Sequence, residues 1–148
     1  MSFINHLRTI LLIFPFIISC QSIVWEKNFG GILYDQGYSI QQTSDNGYII
    51  AGRKGAVTES IENTPSTSVN GEVYIIKINE NGDFEWEITY PHENPDQYSY
   101  AKCIKEDLIN GGFIIGGSHI LKINNSTPPE IEWQNYDINS EDIVITPD

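Results

Sequence analysis

The chain of 148 residues carries 8 basic and 20 acidic side chains, which give it a formal net charge of −12 at pH 7. Such a surface repels phosphate backbones, and nucleic-acid binding needs a basic footprint, so the composition excludes a nucleic-acid partner. The length is enough for one modest domain.

The first 19 residues have the composition of a cleavable export signal. Arg8 supplies a positive charge near the start, and an apolar stretch runs from Ile10 to Ile18, interrupted by Pro15. This stretch is too short to cross a hydrocarbon layer of about 30 Å, which takes roughly 20 apolar residues in a helix. Its length and flanks therefore predict a signal peptide over residues 1–19 rather than a membrane-spanning anchor.

The end of this segment predicts where the mature protein begins. Two isoleucines and Ser19 stand directly before Cys20, and this order resembles the lipobox of bacterial lipoproteins. The Cys20 thiol would carry the lipid, whose several acyl chains, palmitate among them, meet the requirement for stable anchoring. We expect residues 20–24 to be a lipidated N-terminus and short tether in the bacterial cell envelope, on its periplasmic side or its surface. The alternatives are an ordinary secretory signal with a chance cysteine, or a buried helix.

Beyond the tether the chain contains one sequence unit twice, which indicates a repeat architecture. The first unit covers residues 25–85, the second covers residues 86–132, and a partial third unit follows over 133–148. Each complete unit opens on a tryptophan, followed by an aromatic residue four positions later and an aspartate ten positions later. The matches are Trp25, Phe29 and Asp35 with Trp86, Tyr90 and Asp96, GYIIAG (47–52) with GFIIGG (112–117), and VYIIKIN (73–79) with SHILKIN (118–124). Trp133 opens the third unit.

The unit has the signals of four short β-strands. In the first copy, residues 38–43, 47–52, 73–79 and 84–90 are β-branched and aromatic runs bounded by turn residues. Asp-Asn-Gly before the second run and Asn-Gly after the third are hairpin signals, because these residues accept positive φ. Runs that are apolar at consecutive positions predict strands covered on both faces. We therefore predict an all-β fold with two propeller-like four-stranded blades and the stub of a third, an incomplete propeller.

The order of residues within the unit matches a longer pattern. That pattern runs Trp-x-Lys-x-Phe-Gly-Gly, Asp, Asp-Gly-Gly-Tyr-Ile, Tyr-x-x-Lys-Ile-Asn, and finally Gly and Trp. The chain matches its opening at Trp25, Lys27, Phe29, Gly30 and Gly31 and its close at Tyr74, Lys77, Ile78, Asn79, Gly82 and Trp86. In this order the chain resembles the tandem repeats of secreted bacterial proteins that are predicted to form β-propellers. The second copy departs from the pattern at Pro91-His92 and at Pro128-Pro129. The resemblance implies an architecture and no particular activity.

Two blades and a stub leave the predicted propeller open. Closed propellers have about four or more blades, and repeat arrays need about three units with polar caps for stability. Three solutions are possible. The protein could assemble with itself or with another chain, or it could be a truncated remnant of a longer protein without independent function. Alternatively, Asp137–Asp148 could fold back as a capping strand.

Groups suited to catalysis are few. Asp35 and Asp96 could pair for acid–base work, as carboxylates do in glycosidases, but their equivalent places in successive units favour a structural role. No nucleophile elbow, phosphate-binding glycine loop or Cys-x-x-Cys pair is present. We therefore predict no catalytic residues and no cofactor, and a propeller-type glycan-active enzyme is the less favoured alternative.

Groups suited to metal binding or thiol chemistry are also few. His92 lies near Asp96, but no second nitrogen or sulfur ligand follows at zinc-like spacing, so we predict no metal site. His119 aligns with Tyr74 in the repeat, which predicts a packed strand residue. Cys103 has no partner once the first cysteine is lipidated, and we expect it to be a small buried residue.

The two copies differ most in one connection. In the second copy GFIIGG runs directly into SHILKIN, which predicts a tight Gly-Gly-Ser turn. The first copy inserts 20 residues there, 53–72, and loops carried by a rigid sheet are common binding sites, although a long loop can equally be simply mobile. The candidate ligand-binding residues are Arg53, Lys54, Glu59, Glu62 and Asn63. We expect a lipid-anchored, non-catalytic protein that binds a protein or carbohydrate through such blade-edge loops.

Overall fold

A computed structural model describes residues 25–56, 71–94 and 97–146 of the chain. Within these residues the protein has eight β-strands and no helix, arranged as two four-stranded antiparallel sheets. The predicted all-β class is therefore confirmed. The signal peptide, Cys20 and the tether predicted for residues 1–24 lie outside the described residues.

The strands of the first sheet are adjacent in chain order. Their bounds are Tyr34–Gln42 (β1), Tyr48–Ala56 (β2), Glu72–Ile78 (β3) and Phe84–Tyr90 (β4). Each strand predicted in the first copy is thus present, and β1 and β2 are longer than predicted. Both predicted hairpin turns are present as well, with φ of 67° at Asn46 and 77° at Gly82. Asparagine and glycine enter this left-handed region more easily than other residues do.

The second sheet repeats the arrangement of the first. Its strands are Ala101–Glu106 (β5), Phe113–Gly117 (β6), Ile120–Ile123 (β7) and Ile131–Asn135 (β8). A tight turn joins β6 to β7, as predicted, but it consists of Ser118 and His119, because the two glycines of the predicted Gly-Gly-Ser turn lie within β6. Trp133 lies within β8, as Trp86 lies within β4, so the fourth strand of each sheet contains the tryptophan that opens the following sequence unit.

Each sheet has two distinct faces, because side chains alternate along a strand. The lysine face of the first sheet carries Lys77 paired with Trp86, and that of the second sheet carries Lys122 paired with Trp133. The core forms where the lysine face of the first sheet packs against the opposite face of the second. The first sheet contributes Ile49, Ala51, Val73, Ile75 and Tyr90, and the second contributes Ala101, Ile104, Phe113, Ile115, Leu121 and Ile123. Unlike faces therefore meet, and each sheet keeps one face that the other does not cover.

The opposite face of the first sheet is covered by the segment that precedes β1. The buried residues of this face are Tyr74, Ile76 and Ile78, and Trp25 and Phe29 pack against them. The Trp25 ring lies over the Asn-Gly turn so closely that a Cβ on Gly82 would be 2.6 Å from it. The second sheet and this segment thus cover β3 on its two faces, as its unbroken apolar run predicted.

The lysine face of the second sheet is partly covered by the end of the chain. The Ser140 N–H donates to the carbonyl of Gly117 at 3.0 Å. Ile143 lies beside Gly116, where a Cβ would be 3.0 Å from its Cδ1 atom. The end of the chain thus folds back over the sheet, as one of the sequence alternatives proposed. The part of it that the structure describes, up to residue 146, is irregular after β8 rather than a strand.

Candidate functional site

Two of the candidate binding residues, Arg53 and Lys54, lie in β2 rather than in a loop. They pair with Val73 and Glu72 of β3, so the long connection begins only after Ala56. The polar pair looked like a strand end in the sequence, but backbone pairing continues through it. The other candidates, Glu59, Glu62 and Asn63, lie outside the described residues.

Lys54 contacts one residue of β3 and one of β4, the two strands that follow β2 in the sheet. Its Nζ lies 2.7 Å from Glu87 Oε1 and 4.4 Å from the centre of the Tyr74 ring, and the Tyr74 hydroxyl donates to Glu87. Hydrogen bonds from Lys54 and then from Tyr74 hold the pKa of Glu87 below its ordinary value. Burial, and then the Glu87 carboxylate, raise the pKa of Tyr74. The three side chains therefore form a charged, ordered edge beside the long connection.

A cleft of about 280 Å³ opens at this end of the first sheet. Its lining combines four polar side chains, two aromatic rings and an aliphatic floor. The lining residues are Lys27, Asn28, Asp35 and Gln36, with Phe29, Tyr74, Ile50, Ile76, Gly37 and Gly52. The cleft could not be predicted from the sequence, because its walls come from the segment before β1, from β1 itself and from the two central strands.

Asp35 holds one wall of the cleft together. Its Oδ1 accepts the Gly55 N–H at 2.8 Å and its Oδ2 accepts the Gly31 N–H. The two carboxylate oxygens thus link the segment before β1 to the end of β2, so Asp35 has a structural role in this part of the sheet. Asp96 lies outside the described residues, so the pairing of the two aspartates stays a hypothesis.

Each sheet contains a buried lysine that the sequence analysis matched between repeats but gave no role. Lys77 Nζ lies 2.8 Å from Asp45 Oδ2, and Lys122 Nζ lies 2.7 Å from Asp107 Oδ2. The glutamate before each tryptophan adds a second carboxylate. Glu85 lies 3.0 Å from Lys77 Nζ, and Glu132 lies 3.9 Å from Lys122 Nζ. Both aspartates lie in the turn between the first two strands of their sheet, at different distances from the lysine along the chain. Because that separation varies, no fixed spacing indicated the pair.

The two lysine–aspartate pairs differ in burial. The side chain of Asp107 is 5% exposed, whereas that of Asp45 is 57% exposed. Hydrogen bonds from Lys122, and then from the backbone, hold the pKa of Asp107 well below its ordinary value. At Asp45, burial opposes ionisation, but hydrogen bonds led by that from Lys77 outweigh it and lower the pKa to about 2. Both aspartates are therefore ionised near neutral pH and form structural ion pairs with their lysines.

His92, His119 and Tyr136 form a cluster that spacing in the sequence did not reveal. The ring centres of the two histidines are 5.7 Å apart, and each lies 4.7 Å from the Tyr136 ring. His119 is buried, as predicted, but it lies in the turn after β6, so its prediction as a strand residue is wrong. The two glycines that end β6 shift the turn onto this residue, whereas Tyr74 lies within β3.

His119 is held in its neutral form by its surroundings. Its Nδ1 lies 3.1 Å from Ser118 Oγ, and its Nε2 has no hydrogen-bond partner within the described residues. Burial, and then the nearby His92, lower the pKa of His119 to about 4. Across residues 25–56, 71–94 and 97–146, no group of three or more His, Cys, Asp or Glu side chains could hold a metal ion.

Cys103 is buried, as predicted. Its Sγ donates a weak hydrogen bond to the Gly116 carbonyl at 3.8 Å. Burial raises the pKa of the thiol, and a protonated thiol is a poor nucleophile. Cys103 is therefore a packing residue. Cys20, the predicted lipidation site, lies outside the described residues, which contain no helix long and apolar enough to cross a membrane.

Comparisons of the chain with protein-family models, with curated proteins and with solved structures find no match.

Proposed function

We propose that the chain is a lipid-anchored protein of the bacterial cell envelope that binds a carbohydrate without catalysing a reaction. The ligand occupies the cleft at the end of the first sheet from which the long connection leaves. The observation that carries this proposal is the lining of the cleft, which joins four polar side chains to two aromatic rings and an aliphatic floor. Saccharides present hydroxyl groups and apolar ring faces together, and a mixed lining of this kind suits them.

The size of the cleft favours a small ligand over a protein partner. Its volume of about 280 Å³ lies near the lower end of small-molecule pockets, which run from roughly 300 to 1,000 Å³. A stable protein partner would need an interface of about 1,000 Å² or more. The net charge of −12 favours neutral or cationic sugars, because it repels anionic ones.

The architecture that carries the cleft is, in this proposal, an incomplete propeller with two blade-like sheets. Support comes from the order of the strands, which are adjacent in chain order in both sheets. It also comes from the packing of the lysine face of one sheet on the opposite face of the next. Because these two faces differ, further sheets could be added in the same way. Equivalent pairs, Lys77 with Trp86 and Lys122 with Trp133, lie at the same places in the two sheets. Propellers commonly bind ligands on the loops of their blades.

The membrane attachment in this proposal depends on Cys20. We expect Cys20→Ser to abolish incorporation of an alkyne-tagged fatty acid and to release the protein from the membrane fraction of a bacterium that processes lipoproteins. Cys103→Ser is the matched control, because the Cys103 thiol is buried, and it should keep both the label and the membrane association. Label that persists in Cys20→Ser would contradict the lipidation. Since only residues 21–24 separate Cys20 from Trp25, the cleft should work close to the membrane.

The carbohydrate proposal is tested by filling the cleft. A Cβ on Gly37 would lie 3.7 Å from Ile50 Cγ2, an ordinary contact inside the cleft, so Gly37→Leu should add volume there without straining the strand. We expect it to weaken saccharide binding at least roughly tenfold, or about 1.4 kcal/mol, in calorimetric titrations with neutral mono- and disaccharides. Gln42→Leu adds the same side chain at the exposed other end of β1 and should leave affinity unchanged. Failure of every sugar to bind the unchanged protein, or equal affinity in Gly37→Leu, would refute the proposal.

A further inference from the structure

Three tryptophans occupy equivalent places in the repeat, and they differ in what covers them. Trp25 and Trp86 each pack against a hydrophobic cluster. Trp133 is 49% exposed. A half-exposed tryptophan at a position that is otherwise used for packing indicates a contact that the single chain does not complete.

Trp86 shows what this position does when another sheet follows. It projects from the lysine face of the first sheet and packs on the core shared with the second, where it lines one crevice with Phe113. Trp25 makes the equivalent contact on the first sheet. Its ring lies edge-on to that of Tyr48, with centres 5.9 Å apart, and Tyr48 is the repeat equivalent of Phe113. The segment before β1 therefore occupies the place of the fourth strand of a preceding sheet.

The lysine face of the second sheet lacks such a neighbour within the described residues. The end of the chain covers its far side, near Cys103 and Gly116, while Trp133 lies on β8 at the other edge. Two isoleucines of this face, Ile114 and Ile120, are only partly buried. Their equivalents in the first sheet, Ile49 and Ile75, are fully buried. This face is thus an only partly filled copy of the interface between the two sheets.

We propose that the lysine face of the second sheet binds the opposite face of the first sheet in another copy of this chain, with Trp133 in the place of the neighbour's Trp25. A second copy fits because the same two kinds of face already meet once within the chain, through repeat-equivalent residues. Since the contact joins unlike faces, it continues from copy to copy and can close as a ring. Rings of about four to eight sheets need about two to four copies. This inference goes beyond ligand binding. Because the cleft lies on the same opposite face of the first sheet, a docked copy and a ligand in the cleft exclude each other.

Trp25 limits this association, because it and the neighbour's Trp133 compete for one place. Residues 25–33, the described part of the segment before β1, have no strand pairing. The segment is held by the packing of Trp25 and Phe29 on the first sheet and by the hydrogen bond from the Gly31 N–H to Asp35. An ion pair of Lys27 with Asp83 at 3.2 Å, in which both side chains are well exposed, adds to these contacts. Such exposed ion pairs contribute little stability. Association should therefore depend on protein concentration, and loosening the segment should favour it.

The test is the mass of the full-length protein, purified in a non-ionic detergent and measured by light scattering over a wide concentration range. The ionic strength should be high enough to screen the repulsion between acidic chains. We expect a discrete oligomer to form as concentration rises, Trp133→Ala to stay monomeric, and Trp25→Ala to associate at lower concentration. Tyr98→Ala is the matched control, because Tyr98 is a similarly exposed aromatic, 57%, in the connection between the sheets. It should behave as the unchanged protein does.

Three results would overturn the proposal. The first is a monomer at every concentration in both the unchanged protein and Trp25→Ala. The second is unimpaired association in Trp133→Ala, and the third is a dimer that Trp25→Ala weakens. If Trp25→Ala does not fold, Phe29→Ala decides instead, because it removes another packing contact of the same segment. Association of Phe29→Ala that is equal to or weaker than that of the unchanged protein would also contradict the competition.

Discussion

Replacing Lys122 with methionine is expected to lower the melting temperature by roughly 10 °C or more, and by clearly more than the same change at Lys77. The reason lies in the partner that is left behind. The Asp107 side chain is 5% exposed and would remain in the interior as a carboxylate without its cation. Asp45, the partner of Lys77, is 57% exposed and can be hydrated when its lysine is lost. The two lysines hold equivalent places in the repeat, so their comparison isolates the burial of the aspartate.

Thermal unfolding at neutral pH, followed by circular dichroism, measures this difference. A double variant, Lys122→Met with Asp107→Leu, removes both charges and should recover much of the loss, because an apolar pair can replace a buried ion pair at little cost. Equal losses in the two lysine variants would show that burial of the aspartate is not the cause. A double variant no more stable than Lys122→Met alone would show that the turn itself, rather than the unpaired charge, had been damaged.

The strands of the first sheet were predictable because local chemistry determines them. Apolar β-branched runs and Asn-Gly turns lie where the strands and hairpins are, and β4 has the predicted bounds of 84–90. The end of β2 was not predictable in this way. Arg53 and Lys54 continue the pairing with β3, and the length of a strand depends on its partner as well as on its own composition.

The contacts that join distant parts of the chain were beyond the sequence analysis. The unbroken apolar run of β3 predicted cover on both faces, and both are covered, but nothing local indicated that Trp25 and Phe29 provide one cover. The cleft has the same origin, since its walls are far apart along the chain. His92 and His119 likewise meet only because the connection between the sheets lies beside the turn after β6. Spacing rules detect ligands on one element, and these residues lie on two.

The stability of the protein is expected to fall between pH 7 and pH 4 because of His119. Its pKa is lowered from 6.5 to about 4 in the folded state by burial, and then by His92. The unfolded chain therefore binds a proton more readily, so stabilisation that is complete above pH 6.5 is lost as the pH falls toward 4. Linkage gives a loss of about 2 kcal/mol by pH 5 and about 3 kcal/mol by pH 4. Urea unfolding at a series of pH values measures it.

The window from pH 7 to pH 5 separates this histidine from the carboxylates. Carboxylates whose pKa is lowered on folding, such as Asp45 at about 2, stabilise the folded state less as the pH falls. This loss occurs mainly below pH 5, because an unfolded aspartate titrates near 3.9. His119→Phe keeps a ring beside Tyr136 and removes the titrating group, so its stability should be nearly flat across the window. His92→Phe should keep most of the slope, because burial is the larger cause of the lowered pKa. If the stability of His119→Phe falls with pH as steeply as that of the unchanged protein, a group other than His119 takes up the proton. A slope abolished by His92→Phe would mean that repulsion between the two rings, rather than burial, controls the titration.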